Sequence, residues 1–225
     1  RDSYDDYKDI LKNKVAEDTQ FVMVILPNDR KDLYDAVKQI LCLQKPVPSQ
    51  CVVHRTISSS SKGIQSKATK IAVQLASKVG AAPWTLHFQF PGPTMIVGMD
   101  VYHSGEIVSR KKQSVVGFSA SMNSNITSYY SRVVIQDPGK EIVEALQPCM
   151  ESALNKFKEI NKVYPKFVLF YRDGVGEGQV SSVMDKEVQS CFDAFKALDI
   201  ADAKLCFMVV LKRIHTRLFL QTDNG

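Results

Sequence analysis

Two carboxylates sit where apolar strands should carry none, and they are the first sign of chemistry in this chain. In Thr94-Met95-Ile96-Val97-Gly98-Met99-Asp100-Val101-Tyr102-His103 a single acid interrupts an apolar run that reads as a buried strand. A second run, Lys166-Phe167-Val168-Leu169-Phe170-Tyr171-Arg172-Asp173-Gly174, delivers another acid at its C-terminal end. A buried carboxylate needs a cation, a hydrogen-bond shell or a metal as its partner. Hard oxygen ligands that converge from several elements suit Mg²⁺, and two such ions roughly 4 Å apart hydrolyse phosphodiesters by activating water and stabilising the leaving oxygen. On pattern alone Asp173 also reads as an ordinary turn residue before Gly174.

A second constellation lies in the first third. Tyr34 and Lys38 are spaced i,i+4, so both leave one helix face about 6 Å apart along the axis, and Gln74 and Lys78 repeat the spacing. An aromatic hydroxyl, two ammonium groups and an amide suit a terminal phosphate, and the Tyr34 ring could stack on a base. The alternative reading is two solvated helix faces.

The elements that must position these residues follow from periodicity. Residues 4 to 14 read as a polar helix, Gln20–Leu26 as a buried strand ended by Pro27-Asn28-Asp29, and Lys31 onward as a helix with Leu33, Val37, Ile40 and Leu41 inward. Asp29 or Asp32 is available near its N-cap. Lys45-Pro46-Val47-Pro48-Ser49 breaks the helix, Gln50–Val53 returns as a strand, and Ser58–Lys62 is a Ser-rich loop expected to be mobile. A further helix over Lys67–Lys78 places Ile71, Ala72, Leu75 and Ala76 inward. Strand, helix, strand, helix predicts a parallel α/β layer. After Gly80-Ala81-Ala82-Pro83 the rhythm changes, which marks a domain boundary. Strands at 94–101, 113–121 and 128–136 predict an antiparallel meander. Asp137-Pro138-Gly139 then starts a helix running to about residue 162, in which Pro148 predicts a kink or an interrupted start. A strand at 167–171, a helix over 180–197 and a strand at 205–211 complete the order β-β-β-α-β-α-β.

Composition bounds the classes. At 225 residues and 44% hydrophobic, the chain can bury a substantial core, yet its longest apolar runs are too short to span a bilayer. Its charged start, Arg1-Asp2-Ser3-Tyr4-Asp5-Asp6, carries no signal-peptide core and reads as that of an excised fragment. Five widely spaced cysteines without a CxxC indicate neither a disulfide framework nor a zinc site, and a reducing, intracellular setting is expected. The net charge of +5 tolerates a polyanion without requiring one, because the basic residues are dispersed. Gly174-Val175-Gly176-Glu177-Gly178 follows a strand but lacks GxGxxG spacing, so its glycines are better read as letting the backbone turn closely past a metal centre.

An acid on the first strand of the second part and another at the end of the fourth resemble the ribonuclease H-like fold. Gly98-Met99-Asp100-Val101-Tyr102-His103, Ser131-Arg132-Val133-Val134, Tyr171–Gln179 and Lys212-Arg213-Ile214-His215-Thr216-Arg217-Leu218-Phe219 resemble the PIWI domain of Argonaute/PIWI proteins. The first third resembles the neighbouring MID domain. Trp84, Gln74 and the Asp-Val-Tyr-His sequence at 100–103 look like the PIWI clade. The resemblance implies an α/β chain: a partial, Rossmann-like MID domain over 1–82, then a ribonuclease H-like PIWI domain over 83–225, a mixed sheet with flanking helices that lacks its C-terminal part.

What the resemblance implies about chemistry is specific. Asp100, Glu141 and Asp173 are the expected catalytic acids, with Glu144 as the alternative neighbour; on pattern alone Glu141 is a first-turn carboxylate favoured by the helix dipole. Asp100 and Asp173 would hold Mg²⁺, with Mn²⁺ as a substitute. The family's fourth ligand, a His or Asp on a later segment, is expected beyond Gly225; none of His54, His87, His103 and His215 fits its context. Tyr34, Lys38, Gln50, Gln74 and Lys78 fall on the family's pocket for the 5′ phosphate of a guide RNA. Gln74 stands where the Argonaute clade has a lysine, and the PIWI clade replaces that charge with Mg²⁺, so Gln74 is an expected metal neighbour. Lys111, Lys112, Arg132, Lys212, Arg213 and Arg217 are candidate contacts to backbone phosphates. The implied function is small-RNA-guided (piRNA-like) silencing with cleavage of a complementary target RNA, and without a membrane. The expected location is cytoplasmic, with germ granules or the nucleus as alternatives. A guide-binding module without cleavage, and a guide-independent ribonuclease H-like nuclease, are the other two readings.

Overall fold

The computed structural model describes residues 4–58, 63–103, 113–212 and 216–220. The chain divides into two compact units, Arg1–Trp84 and Thr85–Gly225.

In the first unit, helix α1 (Tyr4–Lys14) precedes strand β1 (Val22–Leu26), helix α2 (Lys31–Gln39), a π-helical turn (Ile40–Gln44), strand β2 (Ser49–Val53), a single helical turn α3 (His54–Ile57) and helix α4 (Ile64–Lys78). β1 and β2 are parallel, with Val22 opposite Ser49 and Leu26 opposite Val53. The 3–4 spacing of Leu33, Val37, Ile40 and Leu41 puts all four in one core with Leu11, Val15, Val24 and Leu26. The chain leaves this helical stretch at Lys45, whose backbone is pushed out of the helical region by the proline that follows. Neither Asp29 nor Asp32 caps α2: Arg30 takes the N-cap position, its N–H bonds Asn28 Oδ1, and its guanidinium pairs with Asp32.

Helix α4 departs from expectation more strongly. It begins at Ile64, after Gly63 in the left-handed region, and it buries no residue; Ile71, Leu75 and Ala76 are half-buried and Ala72 is exposed. Within this unit α4 packs on α3 and β2, and a two-stranded sheet gives a helix too little surface to cover a full apolar face. The Ser-rich loop lies largely outside the described residues.

In the second unit, strands β3 (Thr94–His103), β4 (Ser114–Ser121) and β5 (Tyr129–Gln136) are followed by helix α5 (Leu146–Asn161), strand β6 (Phe167–Asp173), a 3₁₀ turn (Glu177–Gln179), helix α6 (Val180–Val183), a π-helical turn (Met184–Val188), helix α7 (Gln189–Ala197) and strand β7 (Lys204–Val210). The sheet order is β5-β4-β3-β6-β7, with the first three strands antiparallel and β3, β6 and β7 parallel. This is the mixed α/β sheet with flanking helices that the element order predicts. Met95, Val97, Met99 and Val101 point into a core with Leu146, Met150, Leu154, Phe157, Val168 and Phe170. Strand alternation therefore turns Asp100 to the other face, where it is exposed. The expectation that Asp100 lies within a buried strand is thus corrected: from Met95 to Val101 only alternate residues are buried.

Helix α5 starts at Leu146, so Glu141 belongs to the loop before it and not to a first turn. Pro148 falls in the first turn, where its missing N–H costs no intrahelical bond, and it marks the helix start without kinking it.

Candidate functional site

Strand register brings the two aspartates side by side. Met99 is the parallel partner of Arg172, so the next residues along the two strands, Asp100 and Asp173, reach the same edge. Immediately beyond, Gly174 turns with φ +84; a β-carbon there would stand 2.9 Å from Asp100 Oδ1 and 3.9 Å from Glu141 Oε1. Three sequence-predicted acids therefore meet around a glycine that has room for no side chain.

Each acid is held differently. Asp100 Oδ1 accepts from the Val101 N–H at 2.9 Å, within its own strand. Asp173 Oδ1 accepts from the Gly174 N–H at 2.8 Å, and Oδ2 pairs with the ammonium of Lys212, which holds the Asp173 carboxyl below the usual carboxylate range. Glu141 is buried and bound at both oxygens: Oε1 accepts from Arg172 Nη2 at 2.8 Å, and Oε2 lies 2.8 Å from His103 Nε2. The other nitrogen of His103 lies 2.8 Å from the buried Ser114 hydroxyl.

Behind Glu141 lies a charge network that sequence reasoning missed. Arg172 and Glu187 are both 0% exposed, with Arg172 Nε donating to Glu187 Oε2 at 2.9 Å. Arg172 Nη2 also donates to the Glu141 carbonyl at 2.7 Å, and Nη1 donates to the Asp173 carbonyl. Burial works against the Arg172 charge, but its bonds to Glu187 and Glu141 outweigh that and hold the guanidinium above its ordinary value. Burial pushes the Glu187 carboxyl up, opposed by Arg172 and the Val143 N–H. No signal in the sequence ties Glu187 to Arg172: an acid in an amphipathic helix ordinarily faces water. The apolar neighbours of Arg172 in Leu169-Phe170-Tyr171 could have flagged it as a buried cation in need of an acid.

The donor set fits a divalent cation. Asp100 and Asp173 offer hard carboxylate oxygens at one edge, and the Lys212 ammonium already stands there as a cation, its pKa raised first by Asp173 and also by Asp100. Among the described residues, no group of three or more acid, His or Cys side chains is drawn together tightly enough to hold a metal unaided. That agrees with Glu141 being engaged by Arg172 and His103. A cavity of about 510 Å³, lined by Asp173, Gly174, Val175, Gly176, Val210, Leu211 and Lys212, opens beside the acids.

In the first unit the five expected pocket residues also meet, around a residue the sequence reading passed over. The carbonyl of Ser49 accepts from Lys38 Nζ at 3.2 Å and from Lys78 Nζ at 2.8 Å, and Lys38 Nζ bonds the Ser49 hydroxyl at 2.9 Å. Lys78 Nζ donates to Gln50 Oε1 at 2.6 Å, and Gln50 Nε2 donates to Gln74 Oε1 at 3.2 Å. Lys38 Nζ lies 5.9 Å from the centre of the exposed Tyr34 ring. Two ammonium groups thus share one carbonyl, and among the described residues no carboxylate pairs with either. Burial, and then the charge of Lys38, lower the pKa of Lys78. The carbonyl oxygen of Gln74 accepts this bond from Gln50 and keeps a second lone pair.

Of the expected backbone-phosphate contacts, Arg132 leans on α5, with Nη1 3.4 Å from both the Pro148 carbonyl and the Ser152 hydroxyl, and Lys212 pairs with Asp173. Arg217 lies in the exposed, irregular stretch 216–220. Lys111, Lys112, Arg213 and His215 lie outside the described residues.

Residues 21–225 match the Piwi domain family, and the chain belongs to that family. It is 40% identical over 220 residues to Piwi-like protein 1 of Gallus gallus, covering 97% of this chain and 25% of that protein. The chain therefore spans about a quarter of the relative's length. The crystal structure of Drosophila Piwi superposes with a TM-score of 0.80 at 25% identity over 93% of this chain and 28% of that one. Kluyveromyces polysporus Argonaute, solved with a guide RNA, superposes with a TM-score of 0.81 at 21% identity over 95% of this chain and 26% of that one, a likeness of fold.

Proposed function

We propose that the chain is the MID (1–82) and PIWI (83–225) portion of a small-RNA-guided silencing protein that grips the 5′ phosphate of a guide RNA and cleaves complementary target RNA. The observation that carries the reading is the convergence of Asp100 Oδ1 and Glu141 Oε1 on Gly174, beside Asp173. Mg²⁺, or Mn²⁺ in its place, would supply water activation and charge stabilisation at the scissile phosphate. Asp100 and Asp173 would hold it, and Lys212 would have to release Asp173 for the second aspartate to take part. Arg172 and His103 hold Glu141 in place so that its carboxylate is oriented before substrate arrives. In the pocket, Lys38 and Lys78 trade a shared carbonyl for phosphate oxygens, which carry nearly two charges near neutral pH. Watson–Crick pairing between guide and target would supply sequence specificity, as the guide RNA held by the Kluyveromyces polysporus Argonaute suggests for the fold. The setting proposed for this activity is the cytoplasm.

One observation favours guide binding without cleavage: a lysine on Asp173 and two partners on Glu141 leave the acids engaged. The test that separates guide binding from guide-independent nuclease activity is a filter-binding titration of matched 5′-phosphorylated and 5′-hydroxyl RNAs at fixed salt, with and without chelator. The phosphorylated RNA should bind more tightly, and chelation should narrow the gap. Equal affinity under all conditions would remove Tyr34, Lys38, Gln50, Gln74 and Lys78 from the role.

A further inference from the structure

Glu141 sits on a loop that almost every neighbouring element ties down. Ser114 Oγ accepts from the Gly139 N–H at 3.2 Å, and Gln136 Nε2 donates to the Lys140 carbonyl at 2.6 Å and more weakly to the Ile142 carbonyl at 3.4 Å. Arg172 bonds both the carbonyl and the side chain of Glu141. Glu187 Oε1, from the turn before α7, accepts from the Val143 N–H at 3.0 Å and from Arg172 Nη2 at 3.3 Å. Glu187 therefore grips both the loop's far end and the cation that holds Glu141.

All the hydrogen bonds around Glu187 point inward. Its two oxygens accept from Arg172 Nε, Arg172 Nη2 and the Val143 N–H, an acceptor-only arrangement that suits a carboxylate. Consider the charges without it. Among the described residues Arg172 would then have Glu141 alone as an ion-pair partner, and a buried guanidinium with a single carboxylate offsets that carboxylate's charge. With Glu187 present, Arg172 and Glu187 balance each other in a fully buried pair. Glu141 keeps its orientation from Arg172 and His103 while the three charges together remain negative.

We propose that Glu187 is a positioning residue that offsets the charge of Arg172 and clips the 139–143 loop, so that Glu141 is presented to the metal edge as a net anion. This rests on the reading of Asp100, Glu141 and Asp173 as a divalent-cation site, and it adds a residue that touches neither metal nor RNA.

The test is Mn²⁺ binding to the intact protein without RNA, followed by the paramagnetic signal of free Mn²⁺, beside retention of a 5′-phosphorylated guide and the melting temperature. Glu187→Gln keeps the size of the side chain, removes its charge and turns an amide N–H toward the guanidinium. It should weaken Mn²⁺ binding by on the order of tenfold, the usual effect of losing an outer partner of a metal site. Guide retention should stay within about twofold, since the phosphate pocket is built by other residues, and cleavage should recover at high metal concentration. Glu187→Asp keeps the charge at a shorter reach and should lose about threefold, less than the amide variant. If Glu187→Gln does not fold, the aspartate variant decides alone: parental Mn²⁺ affinity in it overturns the proposal. So does parental affinity in a folded Glu187→Gln protein, or an equal loss in both variants, which would assign Glu187 to geometry and not to charge. If the parent binds no Mn²⁺ at the acids, so that Asp100→Ala changes nothing, the metal-site reading has failed and Glu187 falls with it.

Discussion

At Gly174 the backbone takes a left-handed turn with φ +84, within 2.9 Å of Asp100 for any added β-carbon. Gly174→Ala therefore combines backbone strain of roughly 1–3 kcal/mol with a collision against Asp100. It should abolish target cleavage and lower the melting temperature while guide loading persists; an alanine variant that cleaves at the parental rate would move the reactive edge elsewhere. The thiols make a second check on packing at single residues. Cys149 and Cys191 are buried, and burial pushes the Cys191 thiol far up, whereas Cys42 and Cys206 are exposed. Alkylation of the native protein should modify Cys42 and Cys206, and reach Cys149 and Cys191 only after unfolding, as read by peptide mass. Asp100 and Asp173 were legible in the sequence because an acid in an apolar run is conspicuous. Their surroundings were not. His103, set aside as a metal ligand, holds Glu141, and Glu187 reaches Arg172 through a contact that no local pattern encodes.

Among the elements, helix α5 separates positions that the sequence made look alike. Pro148 lies in its first turn, so Pro148→Ala should change stability by less than about 1 kcal/mol. Leu154, fully buried in the same helix, should cost about 2–5 kcal/mol when truncated to alanine. Denaturant melts of the two variants compare them directly, and a large loss at Pro148 would mean that the helix starts earlier than described. Helices α2 and α4 bring Lys38 and Lys78 to the Ser49 carbonyl, and this meeting has a pH signature. Lys78, lowered from the ordinary 10.5, bears its charge fully only below its own pKa and loses it as pH rises through that value. The preference for a 5′-phosphorylated RNA should then weaken with rising pH sooner than an unperturbed lysine would dictate, and Gln74→Lys should reduce its sensitivity to chelator. A preference flat to pH 10.5 would contradict the shared-carbonyl geometry. The i,i+4 spacings revealed which residues share a helix face, but the hub itself was hidden. Ser49 is an ordinary strand residue whose carbonyl matters, and a carbonyl carries no sequence signal.

For the molecule as a whole, the antiparallel meander was readable because three strand-like runs follow almost back to back, but the pairing of β6 with β3 was not, since nothing local says which strand of the meander the later strands join. The observed β5-β4-β3-β6-β7 sheet puts β3 at its centre, between an antiparallel and a parallel neighbour, and that is what sets Asp100 beside Asp173. What the element order could not reveal is which face of β3 is covered, since that depends on α5 and α7 packing against Met95, Val97 and Met99. In the proposed function the two aspartates do chemistry while a separate pocket holds the guide. Single-turnover cleavage of a labelled complementary RNA by guide-loaded intact protein in Mg²⁺, with Asp173→Ala and Asp100→Ala beside the parent, separates the two roles. Both variants should retain the 5′-phosphorylated guide at near-parental affinity and lose cleavage altogether. Cleavage at the parental rate by either variant, or loss of guide and cleavage in parallel, would contradict the proposed function.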